Sequence, residues 1–245
     1  MKLYAICLIK DEDDIIEQTL TYAMHYCEKI FVIDNGSSDR TWKIVQELST
    51  QYPQIIPYSQ TFEPFSDGLR AIVYNDIHQD LTDSDWWLRL DSDEFLAEDP
   101  RIEIVRAMTE GCDIIWSWQI QFYFTEHDLS AWEKGEDSPE TPIFERRLYY
   151  SINWQEPRLF RNQSKRKWNV AVNVDVPDGL KGVCRRRILN RHYQYRDPIQ
   201  IEKRLQLRFG QRSFAAHVKT VDWRRTIRQS KDLNYYREGE PWQFR

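Results

Sequence analysis

The fold of this chain is decided by one stretch, Trp86-Trp87-Leu88-Arg89-Leu90-Asp91-Ser92-Asp93-Glu94-Phe95. Its first half is mostly apolar, which is typical of a strand inside a sheet, and its second half is acidic. Because alternate side chains of an extended segment point to the same side, Asp91 and Asp93 are expected to converge. Paired carboxylates supply the oxygen ligands that Mn²⁺ and Mg²⁺ accept. The stretch therefore predicts a divalent-cation site at a strand end, with a helix N-cap or an acidic loop as the alternative reading.

The chain before this stretch alternates between strand and helix patterns. Strands are predicted at residues 3–9, 29–34, 54–58 and 86–90, and helices at 13–27, from Ser38-Asp39 onward, and at 68–81. This alternation is the βαβ signature of a parallel sheet, in which ligands bind at the carboxyl ends of the strands. The acidic residues at the other predicted strand ends are Asp11 with Glu12, Asp34 and Asp67. One edge of the sheet should gather all of them.

The second half of the chain shows a less regular pattern. A helix is predicted to begin at Asp99-Pro100, and the polar segment 125–141 is interpreted as a long loop or lid. The other predicted elements are strands at 113–124, 154–161, 168–176 and 185–195 and a helix at 198–212.

Charge is distributed unevenly along the chain. Residues 1–145 carry 10 Lys and Arg against 30 Asp and Glu, whereas residues 146–245 carry 24 against 9. The basic half is either a solvated face or a wall that meets an anionic substrate, a lipid headgroup or nucleic acid. No motif that reads nucleic acid is present, so we expect no nucleic-acid partner.

The four cysteines are widely spaced, and no pair has the two-residue separation of a metal or redox motif. We interpret Cys7, Cys27, Cys112 and Cys184 as reduced, mostly buried thiols, as expected in a cytoplasm. No apolar run is long enough to span a bilayer, and residues 1–12 fit a first strand better than a signal peptide.

Three motifs together resemble family 2 of the glycosyltransferases in their order and spacing. They are Ile9-Lys10-Asp11-Glu12, Ile33-Asp34-Asn35-Gly36-Ser37-Ser38-Asp39-Arg40-Thr41 and Leu90-Asp91-Ser92-Asp93-Glu94-Phe95. The resemblance implies a GT-A type fold, an α/β nucleotide-binding sandwich with a central, mostly parallel sheet flanked by helices. Residues 1–125 would then bind a nucleotide-sugar donor, and residues 126–245 would form the acceptor-binding and C-terminal part of the same domain.

The resemblance also assigns donor and metal contacts. Contacts to the base, the ribose and the rest of the donor would come from Lys10, Glu12, Asp34, Asp67, Arg70, Asp91 and Ser92. In the family the D-x-D motif holds a metal ion on the donor diphosphate, here Mn²⁺ or Mg²⁺. Asp93 is the better candidate for direct ligation, Asp91 for ribose or metal, and His192 for a third ligand. Turn and cap chemistry is the alternative for Asp34, and simple packing is the alternative for His192.

Candidates for diphosphate binding, proton transfer and acceptor stacking lie in the second half. Arg158 and Arg161 are expected to face one side of a strand and to meet diphosphate oxygens. Family members of the inverting type use an Asp or Glu after the D-x-D motif as general base, and the candidates are Glu156, then Asp128 and Glu126. No clear E-D pair is present, which departs from the family pattern. Trp132 is the best candidate for stacking on an acceptor sugar.

These observations predict an inverting, metal-dependent hexosyltransferase of polysaccharide biosynthesis. It would transfer a sugar from a nucleoside diphosphate donor, with UDP favoured, to a hydroxyl of a glycan or glycolipid. We expect a cytoplasmic protein, with peripheral contact to the inner face of the membrane left open. The alternative is a non-catalytic protein of the same fold that binds a nucleotide or another anion.

Overall fold

The computed structural model describes residues 1–211 and 218–244, which form two compact units. Unit 1 comprises Met1–Trp118 and Gln155–Asn190, and unit 2 comprises Gln119–Trp154 and Arg191–Arg245. The strands are β1 (Leu3–Ile9), β2 (Lys29–Asp34), β3 (Ile55–Gln60), β4 (Trp86–Asp91), β5 (Glu94–Leu96), β6 (Ile114–Phe122), β7 (Tyr149–Arg161), β8 (Ile188–His192) and β9 (Asn234–Tyr235). The α-helices are α1 (Ile16–Ala23), α2 (Thr41–Gln51), α3 (Ala71–Ile77), α4 (Pro100–Glu110), α5 (Glu126–Glu133), α6 (Ile143–Arg146) and α7 (Pro198–Arg208).

The sheet confirms the predicted α/β class. Its strand order is β3-β2-β1-β4-β7-β6-β8-β5. The pairs β1–β2, β1–β4 and β2–β3 are parallel, and β4–β7 is antiparallel. The parallel strands are those that the alternating strand and helix patterns predict.

Strand β1 is buried along its whole length, which explains its continuous apolar sequence. Its odd-numbered residues belong to an apolar cluster that includes α1, α2 and α4. Its even-numbered residues, such as Ile6, belong to a second cluster that includes α3. Both faces of the parallel sheet are therefore covered by helices.

Local sequence signals fix the start and the end of α4, as predicted. Asp99 accepts a hydrogen bond from the Arg101 amide at 2.9 Å, and Pro100 occupies the first turn. Gly111 follows the helix with a φ of +72°, in the left-handed region that favours glycine.

Two predicted segments are wrong. Within the predicted loop 125–141 lies α5, which begins at a capping box because Thr125 and Asp128 each accept a hydrogen bond from the other's backbone. The predicted strand 168–176 is a series of turns. There the Asn169 side chain accepts a hydrogen bond from the amide of Ala171, and the Asn173 side chain accepts one from the amide of Asp175. Each of these bonds folds the backbone into a turn.

Other predicted boundaries need adjustment. The segment predicted as one helix at 68–81 consists of a 3-10 turn, Asp67–Arg70, then α3, then a second 3-10 turn, His78–Asp80. Strand β7 begins earlier than predicted, and β8 is shorter. Helix α7 ends at Arg208, and the predicted end at Arg212 lies outside the described residues.

Two of the four cysteines contradict the prediction of reduced thiols. Cys112 and Cys184 form a disulfide, while Cys7 and Cys27 are free and buried. The Cys184 amide donates to the carbonyl of Ile114 at 2.8 Å, which brings the two sulfur atoms together across 72 residues of sequence. The argument for a reducing compartment from four free thiols therefore fails. Within the described ranges, no helix is long and apolar enough to cross a bilayer.

Candidate functional site

The carboxyl ends of three parallel strands lie side by side in unit 1. In the strand register, Asp34 of β2 is paired with Ile9 of β1, and Asp91 of β4 is paired with Leu8. Asp11 follows β1 by two residues. The structure thus brings the predicted acidic strand ends to one edge of the sheet, where α/β proteins bind ligands.

The turn after β1 is fixed by hydrogen bonds to the segment after β2. Asp11 has a φ of +53°, in the left-handed region that aspartate tolerates better than most residues. Its carboxylate accepts from the Ser38 amide at 2.6 Å, and its own amide donates to Ser37 Oγ at 2.9 Å. The next amide, that of Glu12, donates to Thr41 Oγ1 at 2.8 Å. These contacts hold the ends of β1 and β2 together.

Asp34 is fully buried, and among the described residues its carboxylate accepts hydrogen bonds only from neutral groups. The donors are the amide and the hydroxyl of Ser37 and Gln60 Nε2, the last at 2.8 Å. Nearby, Lys10 Nζ donates to the Asn35 carbonyl at 3.0 Å. Asp34 therefore organises the turn, while the predicted contacts of Asp34 and Lys10 to a nucleotide stay predictions.

Asp91 lies in a different environment, which we call the arginine–carboxylate cluster. Its members are Arg70, Arg89, Arg158, Asp67, Asp91, Glu94 and Glu156. The two Asp91 oxygens accept from Arg70 and from Arg158, the latter at 3.0 Å. Both arginine side chains are only 1% exposed, whereas the Asp91 side chain is 34% exposed. One face of this carboxylate therefore remains open.

The remaining contacts of the cluster link the strand ends to β7. Arg158 also binds Glu94 and Glu156, each at 2.5 Å. Arg89 binds Asp67 at 3.0 Å, and Asp67 accepts from Arg70 as well. Of the predicted donor residues, Arg70 thus contacts both Asp67 and Asp91.

The buried charges shift the ionisation of the cluster. Burial alone would raise the pKa of Asp91, but the guanidinium groups of Arg158, Arg70 and Arg89 hold it well below its usual range. Burial would lower the pKa of Arg158, but the carboxylates around it raise that pKa well above its ordinary value. Burial raises the pKa of Glu94, with Arg158 opposing the shift. The arginines therefore favour the ionised form of Asp91, whose carboxylate is partly open.

A metal ion at this edge would find few protein ligands. In the part of the chain that the structure describes, no group of three His, Cys, Asp or Glu side chains could hold one. Asp91 and Asp93 belong to unit 1, with Asp93 only 4% exposed, and His192 belongs to unit 2, where its ring lies edge-on to Trp154. Magnesium commonly uses one or two carboxylates and completes its shell with substrate phosphates. Asp91 and Asp93 could supply the one or two carboxylates of such a cation, and a phosphate ligand would have to complete its shell.

The other predicted site residues are dispersed. Arg158 lies inside the cluster, whereas Arg161 donates to the Asp83 carbonyl and lies 3.4 Å from Asp113. The expectation that Arg158 and Arg161 face one side is wrong, because a spacing of three along a strand reverses the face. Ser92 is buried, and its carbonyl accepts from the Thr19 hydroxyl.

The candidate bases in unit 2 have structural partners. Asp128 caps α5 and binds Arg147 at 3.2 Å, and burial raises its pKa. Glu126 binds the amide and hydroxyl of Ser230. Trp132 packs against the apolar cluster that contains Phe124. In unit 1, the Glu156 side chain is 28% exposed, compared with 9% for Asp128.

Sequence reasoning missed two residues of this edge. Arg89 is a charged residue inside the apolar run of β4, and a buried charge requires a partner, so the run itself contained the signal. Gln60 ends β3 and carries no comparable signal, because its role depends on the position of Asp34.

The fold and the acidic strand ends place this chain among α/β proteins that bind ligands at the carboxyl edge of a parallel sheet. A sequence model of the family Glycosyl transferase family 2 matches residues 9–176. The chain belongs to this family, and its fold is the GT-A type that the sequence motifs imply. The match extends beyond residue 125, where the resemblance in the motifs ends.

Several solved structures are similar. TarS 1-349 from S. aureus has 13% identity over 84% of this chain and 64% of that chain, with a TM-score of 0.44. The mannosyltransferase PcManGT from Pyrobaculum calidifontis, in complex with GDP-Man and Mn²⁺, has 14% identity over 84% and 61%, with a TM-score of 0.46. Glucosyl-3-phosphoglycerate synthase from Mycobacterium tuberculosis, in complex with Mn²⁺, UDP and phosphoglyceric acid, has 13% identity over 65% and 55%, with a TM-score of 0.35. The chain spans less than two thirds of each of these structures. No curated protein sequence matches it.

Proposed function

We propose that the chain is an inverting, metal-dependent glycosyltransferase. It transfers a hexose from a nucleoside diphosphate sugar, with UDP favoured, to a hydroxyl of a glycan or glycolipid. The observation that carries the proposal is the ionised, partly open Asp91 at the carboxyl edge of the sheet, inside the segment that matches the family.

The donor would lie along the ends of β1, β2 and β4. Lys10, Glu12 and Asp34 would contact the base and the ribose, because their strand ends are neighbours at this edge. Asp67 and Arg70, in the turn after β3, would contribute further contacts to the donor. Ser92, which follows β4, would contribute another. The hydrogen bonds that hold these turns in the free protein support this arrangement, because preorganised contacts cost less free energy on binding.

Asp91 and Asp93 would hold Mn²⁺ or Mg²⁺, and the donor diphosphate would supply further ligands. His192 is not proposed as a third ligand, because no group of three such side chains among the described residues could hold a metal ion. When bound, the cation would neutralise charge on the departing diphosphate. Arg70 and Arg158 act as positioning residues, since they keep Asp91 ionised and fix its orientation. Arg158 is thus better suited to orienting a ligand than to contacting the diphosphate itself. The prediction that Arg161 binds the diphosphate is wrong for this site, because Arg161 pairs with Trp86 at the start of β4, whereas Asp91 ends that strand.

Inversion requires a base that takes the proton of the acceptor hydroxyl as that oxygen attacks the sugar. Glu156 is the first candidate, because its side chain is partly exposed and lies on β7 beside Arg158. Asp128 is the second candidate. It ranks below Glu156 because its carboxylate already accepts a hydrogen bond from Thr125 and forms an ion pair with Arg147.

The test is a screen of nucleotide sugars for release of the nucleoside diphosphate in the presence of Mn²⁺. We expect turnover of at least one donor, and loss of turnover in Asp93→Asn. Asp99→Asn is the matched control, since Asp99 is an exposed cap of α4 and asparagine caps as well. Absence of both turnover and binding for every donor would refute the proposal.

A non-catalytic, nucleotide-binding protein is the second candidate. The ion pairs of Asp128 with Arg147 and of Glu156 with Arg158 favour it, because they occupy both candidate bases. Binding of UDP with Mn²⁺, without turnover of any donor, would establish this alternative.

A cytoplasmic location, with contact to the inner face of the membrane through the basic half, completes the proposal. The Cys112–Cys184 disulfide removes the support that four reduced thiols gave to the cytoplasmic location. The charge distribution supports the membrane contact, because a basic surface attracts anionic headgroups. Fractionation of cells that express the chain, followed by a salt wash of the membrane fraction, tests this location.

A further inference from the structure

Unit 2 contains a cavity of about 400 Å³ that the proposed donor site does not use. Its walls come from the end of β6, the start of β7 and residues 227–233. The Arg228 amide donates to the Phe124 carbonyl at 3.0 Å, and the Tyr123 amide donates to the Tyr149 carbonyl at 2.9 Å. Backbone hydrogen bonds therefore hold the walls together, and the volume lies within the usual range for a small-molecule site.

Three neutral polar groups line one wall of this cavity. The Tyr123 hydroxyl lies 3.3 Å from Ser151 Oγ. Asn153 Nδ2 lies 3.3 Å from the Tyr123 hydroxyl and 3.4 Å from Ser151 Oγ. These distances are at the long end of the hydrogen-bonding range. The three groups keep capacity to donate to and accept from a ligand.

Two charged side chains, those of Arg228 and Asp232, also line the cavity. The Arg228 guanidinium lies 5.5 Å from the centre of the Tyr123 ring. Across residues 1–211 and 218–244, neither Arg228 nor Asp232 forms an ion pair. One positive and one negative charge leave the lining neutral, which disfavours a polyanion such as a diphosphate.

We infer that this cavity binds a neutral saccharide ring. Each sugar hydroxyl both donates and accepts, and the lining offers donors, acceptors and hydroxyls at short spacing. Planar side chains such as Arg228, Asn153 and Asp232 can bind two neighbouring hydroxyls at once. Ile227, Leu233 and the Tyr123 ring supply apolar contact for the C–H faces of the sugar. If the proposed glycosyltransferase function holds, this sugar is part of the acceptor.

The test uses saturation-transfer NMR with the methyl glycosides of glucose, galactose, mannose and N-acetylglucosamine. We expect at least one glycoside to bind and its affinity to fall about tenfold in Arg228→Ala and in Asn153→Ala, as for a lost hydrogen bond to a ligand. Both side chains are exposed, so both variants should fold. Arg237→Ala is the matched control, since Arg237 also lies over a tyrosine, Tyr235, but pairs with Glu240 outside the cavity.

A measurement of nucleotide binding distinguishes a failure of this inference from a failure of the proposed function. Calorimetry with UDP and Mn²⁺ should give the same affinity for the wild type and for Arg228→Ala. Glycoside binding without any nucleotide binding would support the cavity and refute the proposed donor site. If no glycoside binds, or if Arg228→Ala and Asn153→Ala bind as the wild type does, the inference is wrong whatever the nucleotide does.

Discussion

Strands β2 and β4 flank β1 and each ends in an aspartate, and the two aspartates have different surroundings. Asp34 is held by the neutral donors Ser37 and Gln60, which lie on the next turn and the next strand. Asp91 is held by two buried guanidinium groups. The same residue type therefore closes a local turn in one place and balances distant charges in the other.

The difference has an energetic consequence. Loss of a neutral donor leaves an unmade hydrogen bond, which costs about 1–3 kcal/mol when the acceptor is buried. Loss of one member of a buried ion pair leaves an unbalanced charge, which costs about 3–5 kcal/mol. The end of β4 should therefore be the more sensitive of the two regions.

The largest effect is expected for Arg158→Met. This change leaves Asp91, Glu94 and Glu156 without their shared partner, and we expect a loss of about 3–5 kcal/mol in the free energy of unfolding. Urea denaturation followed by circular dichroism measures it.

Arg161→Met is the control on the same strand. Its side chain is 33% exposed, and its ion pair to Asp113 should contribute about 1 kcal/mol or less. Equal losses in the two variants would contradict the account of the arginine–carboxylate cluster.

The next largest effect is expected for Asp91→Asn, which should remove a pH dependence of the free energy of unfolding. The arginines hold the folded pKa of Asp91 below its unfolded value of about 3.9, so its contribution is complete above that pH and is lost as the pH falls further. We expect the variant to be about 2–3 kcal/mol less stable at neutral pH, after allowance for the exposure of Asp91, and the gap to narrow below about pH 4. Unfolding curves from neutral to acidic pH measure the gap; a gap that widens in acid would reverse the assigned sign.

A smaller loss of stability is expected for Asp34→Asn. The new amide group would face the hydrogen-bond donors of Ser37 and Gln60, at a cost of about 1–3 kcal/mol. If Asp34 also contacts the donor, the affinity for UDP should fall about tenfold or more, as calorimetry can show. Unchanged affinity with reduced stability would leave Asp34 a purely structural residue.

The smallest effect is expected for Gln60→Ala. The variant removes one donor to Asp34, while the two donors of Ser37 remain and Gln60 is exposed. The loss should therefore lie at the lower end of the range of about 1–3 kcal/mol for a lost donor. A loss as large as that of Arg158→Met would mean that the two strand ends do not differ as described. Thermal unfolding of both variants under one set of conditions makes this comparison.

The acidic edge was predictable because each of its strands is a short apolar run that ends in a carboxylate. The cap of α4 was predictable for a similar reason, since Asp99 and Pro100 act within one turn. Both features depend on residues close together in the sequence.

The features that the sequence pattern did not predict depend on distant residues or on competing local bonds. Arg158 and Asp91 are 67 residues apart, and Cys112 and Cys184 are 72 apart, so neither pairing follows from spacing. At 168–176 the alternating valines favour a strand, but the side chains of Asn169 and Asn173 bind the backbone and produce turns. The Thr125–Asp128 capping box was visible in the sequence and would have identified α5.

The central claim is that Asp91 and Asp93 hold a cation whose ligand shell a nucleoside diphosphate completes. Calorimetric titration of Mn²⁺ into the protein, with and without saturating UDP, tests it most directly. We predict weak binding of Mn²⁺ alone, much tighter binding with UDP, and loss of this coupling in Asp93→Ala. Equally tight Mn²⁺ binding with and without UDP, or coupling that persists in Asp93→Ala, would contradict the claim.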